Sequence, residues 1–295
     1  MSLSMRARLL QRIIPKVMPS ADLSPAEQRA KLSRPMGLPN RRVEVVDLQV
    51  GGVPVTRVTP KGPARRRHLL HVHGGGFVVG TTRGFVGYLS ELALQADATI
   101  TSVDYRLAPE HPYPAAIDDC LAAYRAVSDE VSAESLALVG ESAGGNAVLA
   151  TLVRARDEGL PLPAAAVLLS PWVDLTFSGG SMERNRATEL MLDPALFTGW
   201  RDAYVGAGDP SDPGISPLFA DLSGLPPLHV QATSAEVLED DARRLVERAT
   251  EAGVEAELIV HDELWHIFQT QVPLVPEARR ALDQAVTFIR THTTG

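Results

Sequence analysis

Gly140-Glu141-Ser142-Ala143-Gly144 closes a run of β-forming residues, Ser135 to Val139, and opens an alanine-rich helical pattern, so Ser142 falls on a sharp strand-to-helix turn. A glycine two residues to either side removes the Cβ atoms that would collide where strand and helix pass closely. The hydroxyl then stands clear of the sheet, as a nucleophile must. Chance alone produces GxSxG in about one chain in ten of this length, so its neighbours decide the matter.

The second signal lies upstream. His68, Leu69, Leu70, His71 and Val72 read as a buried strand that runs into His73, Gly74, Gly75, Gly76 and Phe77. Three consecutive glycines could be a flexible loop. A strand that breaks into glycines ahead of a nucleophile turn fits an oxyanion hole better, because Cβ-free residues let backbone N–H groups approach a developing negative charge. Gly75 and Gly76 are the expected donors. A third is the N–H of Ala143, at a helix N-terminus whose dipole also favours negative charge. His73, Gly74, Gly140 and Gly144 complete the two motifs as supporting residues.

At these residues the chain resembles the hormone-sensitive-lipase-like branch of the α/β-hydrolase esterases, through HGGGF at His73 to Phe77 and GESAGG at Gly140 to Gly145. YRLAPE at Tyr105 to Glu110, HPYPAAIDD at His111 to Asp119 and SPWVDL at Ser170 to Leu175 stand where that branch carries similar stretches. The resemblance covers roughly residues 40 to 293. Two departures stand out: the family often has Trp where this chain has Phe77, which would reshape the acyl pocket, and often Asp where it has Glu141. The resemblance implies an α/β-hydrolase fold, with a mostly parallel central sheet of about eight strands flanked by helices and covered by a helical cap. The cap would comprise residues 1–40 and an insertion near 177–225, with 41–295 as the catalytic domain. It also implies a serine carboxylesterase acting on small-molecule esters of short to medium acyl chain, or on related lactones and acetyl esters, with no cofactor and no metal.

A serine hydroxyl needs a base to take its proton and an acid to orient that base. Eight histidines compete for the first role. The order expected on this fold is Ser, then Asp or Glu, then His, and His266 fits best, on the loop after a strand alternating from Glu255 to Asp262. His71 and His73 precede the serine; His71 falls within a strand and His73 is placed to brace the glycine turn. His229 lies within a strand, and His111, His261 and His292 have no supporting context. Ser234 to Asp241 resembles the family's acid-bearing turn, with Glu236 at the position of the triad acid. Asp240, Asp241 and Asp262 are rivals, and the alternative role for Glu236 is a helix cap near Val237.

At 295 residues, 45% hydrophobic and 22% charged, the chain can bury a sizeable core. Its formal net charge of −8 argues against nucleic acid or an anionic membrane as the main partner. The lone Cys120 permits no intrachain disulfide, suits a cytoplasmic setting and reads as a small buried hydrophobe on a helix. No apolar run suggests a membrane span or stable insertion. Arg6, Arg8, Arg12 and Lys16 interrupt the apolar residues of the first 20 positions, so this stretch reads as an amphipathic helix rather than a signal peptide. A cap helix is the preferred role, and a reversible membrane-surface contact the alternative.

Elsewhere strand and helix patterns alternate as in parallel βαβ units. A hairpin is expected over 43–50 and 53–59, then strands near 68–72, 99–104, 135–139, 165–169, 228–232 and 256–260. Helices are expected near 84–96, 115–127, 145–156, 238–251 and 277–291. Arg65, Arg66 and Arg67 read as a solvated run before a strand. The strand near 256–260 is a candidate edge for homodimer pairing. Two other functions share this scaffold: an amidase or N-acetylhydrolase on the same triad, and a non-catalytic small-molecule receptor, against which retained His266 argues.

Overall fold

The computed structural model describes residues 3–32, 37–272 and 274–295, so part of the stretch expected to form the N-terminal cap lies outside the described residues. The described chain begins with α1 (Met5–Val17) and α2 (Pro25–Leu32). Ser24 and Glu27 start α2 as a capping box, with Ser24 N–H donating to Glu27 at 2.8 Å and Glu27 N–H donating to the Ser24 hydroxyl at 3.4 Å. Eight strands follow among the described residues: β1 (Val43–Val50), β2 (Val53–Pro60), β3 (Arg67–Val72), β4 (Ala98–Val103), β5 (Leu136–Glu141), β6 (Ala165–Leu169), β7 (Leu228–Thr233) and β8 (Ala256–His261). They form one sheet in the order β1-β2-β4-β3-β5-β6-β7-β8. β1 with β2 and β2 with β4 pair antiparallel, and every later pair is parallel.

Alternation along the parallel strands builds two cores. Leu70, Val72, Leu138 and Leu168 point to one face, while Leu69, Val139, Val167 and Leu169 point to the other. The first face is covered by α4 (Ala115–Glu130), α5 (Ala143–Asp157) and α8 (Glu239–Glu251), and the second by α3 (Val86–Ala96) and α9 (Pro276–His292). Strands covered on both faces read as nearly continuous apolar runs, which is why β3, β5 and β6 were visible in the sequence. Each buried Leu or Val in these layers contributes about 1.5–3 kcal/mol of transfer free energy. Cys120 is fully buried on α4.

Between β6 and β7 the rhythm breaks into α6 (Ser181–Arg184) and α7 (Pro194–Val205), the latter capped by Asp193, whose carboxylate accepts from Ala195 and Leu196 N–H. One expectation is corrected: Arg67 is not part of a solvated run. It opens β3, is 7% exposed, and its guanidinium donates to the Thr293 hydroxyl at 2.6 Å and the Ala96 carbonyl at 2.8 Å. A buried guanidinium is tolerated where its donors find acceptors, and the C-terminal end of α9 supplies one of them.

Register brings the functional ends level. Val72 pairs with Gly140 and Glu141 with Leu169, so β3, β5 and β6 end side by side, and Thr233 pairs with His261 at the neighbouring edge. The loops leaving these strands therefore share one end of the sheet, where open α/β sheets place their sites.

Candidate active site

Ser142 joins β5 directly to α5 with φ 56° and ψ −122°. A residue with a Cβ holds this conformation only under constraint. The constraint comes from four backbone bonds: Ser142 N–H donates to Leu169 C=O at 2.9 Å, and its own carbonyl accepts from Gly145 at 2.9 Å, Trp172 at 3.1 Å and Asn146 at 3.3 Å. Gly144 is forced by close approach, because a Cβ there would collide with the Val72 carbonyl, and one at Gly140 would collide with the Gly144 carbonyl.

His266 sits on the loop after β8. Its Nε2 lies 2.9 Å from Ser142 Oγ and its Nδ1 lies 2.7 Å from Glu236 Oε2. Ser142, Glu236 and His266 are 4%, 1% and 2% exposed. The other oxygen of Glu236 accepts from Thr233 N–H at 2.8 Å, so the carboxylate is oriented from both sides. It caps no helix, since α8 begins only at Glu239. The rivals point elsewhere. Asp240 accepts from Ser181 N–H and pairs with Arg184, Asp241 accepts from Val173 and Asp174 N–H at 2.9 Å, and Asp262 is exposed. Burial, reinforced by neighbouring Asp174, pushes the Asp241 carboxyl well above the usual range.

The glycine loop leaves β3 beside the serine. Gly75 has φ 122° and Gly76 φ 60°, and the Gly75 carbonyl accepts from Val78 and Val79 N–H at 3.0 and 2.9 Å. Among the described residues no hydrogen bond takes up the N–H of Gly75, Gly76 or Ala143. Gly74 and Gly75 line the cavity above Ser142, while Gly76 lies against the Trp200 indole. His73 Nδ1 bonds the Gly74 carbonyl at 2.8 Å, its ring stacks on Tyr105 at 4.3 Å, and burial holds its imidazole below the ordinary range. Tyr105 O–H donates to the His73 carbonyl at 2.8 Å. Arg106 grips Asp119 through its backbone N–H and its guanidinium, both at 2.8 Å, which ties the YRLAPE loop to α4. His71 lies within β3 and bonds Ser102 and Glu141.

The serine and histidine open onto a cavity of about 650 Å³. Its walls mix Leu10, Ile14 and Met18 from the N-terminal helices and the loop joining them with Met191, Leu192 and Trp200 from the 177–225 stretch. Phe77 does not line it. That ring is fully buried and stacks on Tyr204 at 3.7 Å, away from the cavity wall. Among the described residues no group of three or more His, Cys, Asp or Glu is disposed to hold a metal ion, and no helix is long and apolar enough to cross a membrane.

Several residues that hold the site gave no sequence signal. Gln28 accepts from Trp200 Nε1 at 2.8 Å, and Arg29 donates to the Val78 and Ala108 carbonyls at 2.7 and 2.6 Å. Arg29 also chelates Glu110 and holds its carboxyl down to about 2. The acid turn is buttressed from the stretch after β6: Asn185 donates to the Glu236 carbonyl at 2.8 Å, Thr188 to the Ala235 carbonyl at 2.9 Å, and Glu189 accepts from Val237 N–H at 3.0 Å.

Residues 69–270 match a family model described as an alpha/beta hydrolase fold. An acetyl-hydrolase of Streptomyces hygroscopicus is 41% identical over 234 residues, covering 78% of each chain. Carboxylesterase NlhH of Mycobacterium tuberculosis is 33% identical over 287 residues, covering 91% of this chain and 88% of that one. A crystal structure of an esterase from the bacterial hormone-sensitive lipase family superposes over 100% of both chains at 35% identity with a TM-score of 0.94. With its sheet order, its elbow serine and these likenesses together, the chain belongs to the hormone-sensitive-lipase-like carboxylesterase family of α/β-hydrolases.

Proposed function

We propose that the protein hydrolyses carboxylic esters of short to medium acyl chain through an acyl-enzyme on Ser142. One observation carries this reading: a single buried imidazole bonded at 2.9 Å to a strained serine and at 2.7 Å to a carboxylate. His266 Nε2 takes the Ser142 proton as Oγ attacks the ester carbonyl carbon. The carbonyl oxygen becomes an oxyanion facing the N–H groups of Gly75, Gly76 and Ala143. Collapse breaks the bond to the alcohol, which leaves with the proton from His266. Water then gives its proton to His266 and attacks the acyl carbon; the acid departs and Ser142 regains its proton. Glu236 keeps Nδ1 of His266 protonated and its ring in place.

Residues 1–40 and 177–225 serve as the cap. Support comes from the cavity wall that α1 and the loop after it share with Met191, Leu192 and Trp200. A cavity of about 650 Å³ accommodates an ester with a chain of several carbons. The composition supports a cytoplasmic setting.

The name of the Streptomyces relative favours a second reading, in which acetyl groups are removed from oxygen or nitrogen. An amine leaves less readily than an alcohol and must be protonated by His266 before the bond breaks. The deciding experiment is a panel of nitrophenyl esters of increasing acyl length, run beside lactones, a matching anilide and Ser142→Ala. Hydrolysis of the esters by the wild type alone supports the esterase. Comparable rates on the anilide would move the assignment to amide chemistry, and hydrolysis of neither would leave a binding protein on a hydrolase scaffold.

A further inference from the structure

Helix α1 turns one face to the protein and the other outward. Ala7 is buried, and Leu3, Leu10 and Ile14 pack on the core beside α9. Ser4 donates to Glu277 through its N–H at 2.7 Å and its hydroxyl at 2.9 Å, while Gln11 donates to the Glu263 carbonyl at 2.6 Å. The outward face carries Met5, Leu9, Ile13 and Val17, which are 88%, 58%, 41% and 52% exposed. A spacing of four residues aligns them in one ridge. The described residues include eight large exposed apolar side chains, and four of them lie on this ridge, so it is a patch and not scatter.

The charges of α1 point to what covers the ridge. Arg6, Arg8, Arg12 and Lys16 are exposed, the helix contains no acidic residue, and none of the four makes an ion pair or side-chain hydrogen bond among the described residues. At 3.6 residues per turn, Arg8, Arg12 and Lys16 form a row directly beside the ridge. The chain as a whole carries −8, so the local sign is opposite to the global one. The whole-chain charge, read as an argument against an anionic surface, hides this.

A second copy fits poorly, since a two-fold pairing through this face would set the four cations against the same four. We propose that α1 is an interfacial helix that docks the protein reversibly on an anionic lipid surface. Its apolar ridge enters the boundary between headgroups and acyl chains, and its cations rest on the phosphates. Ile13, Lys16 and Val17 also line the cavity above Ser142, so the docked face opens beside that cavity. Entry of ester substrates from the lipid layer rests on the function proposed above; the docking itself does not.

Sedimentation of the full chain with vesicles of phosphatidylcholine alone, or mixed with phosphatidylglycerol, tests the docking. Wild type should partition at least about tenfold more strongly onto the anionic vesicles, and this preference should fade at roughly 0.5 M salt. Near an anionic surface each cation contributes about a fivefold gain, so Arg8→Gln/Arg12→Gln should lose about twentyfold. Leu9→Ser should lose about tenfold. None of these positions lines the cavity, so all variants should keep wild-type turnover of a water-soluble ester without vesicles, which also reports their folding. Equal sedimentation with both vesicle types, no sedimentation, or variants that bind like wild type would overturn the proposal. So would a dimer abolished by Leu9→Ser in a protein that ignores vesicles. Ser142→Ala should dock normally, which separates this inference from the catalytic one.

Discussion

Glu141 Oε2 lies 2.9 Å from Nε2 of His71, and neither side chain is exposed to solvent. The other oxygen of Glu141 accepts from Gly74 N–H at 3.2 Å. The residue before the elbow serine thus reaches across to the glycine loop, while His71 anchors the pair to Ser102 on β4 at 2.8 Å. In the mechanism proposed above Glu141 would act as a positioning residue, holding Gly74, and through it the proposed donor Gly75, in place beside Ser142. Truncating it strands a buried imidazole and frees the glycine loop. Glu141→Ala should lower kcat by about ten- to a hundredfold with little change in KM, because oxyanion donors act mainly in the transition state. Glu141→Asp should recover part of this. Steady-state kinetics beside urea unfolding decides it, and an unchanged kcat in a merely less stable protein would reduce Glu141 to a core residue.

The strain at Ser142 makes a prediction separate from chemistry. With φ 56° and ψ −122°, any Cβ is disfavoured there. Ser142→Ala and Ser142→Gly should both lose roughly a millionfold in turnover, as His266→Ala should. Ser142→Gly should nevertheless be more stable than Ser142→Ala by about 1–2 kcal/mol. Equal midpoints in a urea titration would show that the elbow is not strained.

Glu236→Gln leaves the shape of the acid turn but offers His266 Nδ1 an amide in place of a carboxylate oxygen, so the histidine tautomer is no longer enforced. A loss of about 10³- to 10⁴-fold in kcat is expected. Asp241→Ala should cost stability by leaving the Val173 and Asp174 N–H groups without their acceptor, with kcat nearly intact. Reversal of that ranking in a side-by-side assay would move the acid role to Asp241.

Legibility followed the range of the interactions. Ser142 and the glycine loop were visible because strand, turn and helix signals are local, and β3, β5 and β6 because strands buried on both faces need continuous apolar runs. Choosing Glu236 over Asp240 and Asp241 required the family's turn, since all three lie within six residues. Arg67 was misread because a charge run looks solvated until acceptors 29 and 226 positions away are known. Gln28 and Arg29 were silent for the same reason. The Ser24–Glu27 capping box announces their helix, but nothing local says that Gln28 meets Trp200, 172 positions on.

His68 provides a stability test with a definite sign. Burial first, and nearby Arg57 second, push its imidazole down to about 4. In the unfolded chain the group titrates near its ordinary value of about 6.5. Between those two values the unfolded state holds a proton that the folded state does not, so stability falls as pH drops through this window. Below about 4 both states are protonated and His68 adds no further loss. At 1.36 kcal/mol per pKa unit, the full contribution across the window is about 3 kcal/mol, of which about 2 fall between pH 7 and pH 4.5. Carboxylates and His261, also pushed down to about 4, titrate across the same range, so only a difference isolates the group. His68→Gln, which can still bond the Thr101 hydroxyl that His68 meets at 2.9 Å, should therefore lose about 2 kcal/mol less than wild type between pH 7 and pH 4.5 in urea unfolding. Parallel curves for the two proteins across that interval would mean that His68 gains its proton in the folded state as readily as in the unfolded one.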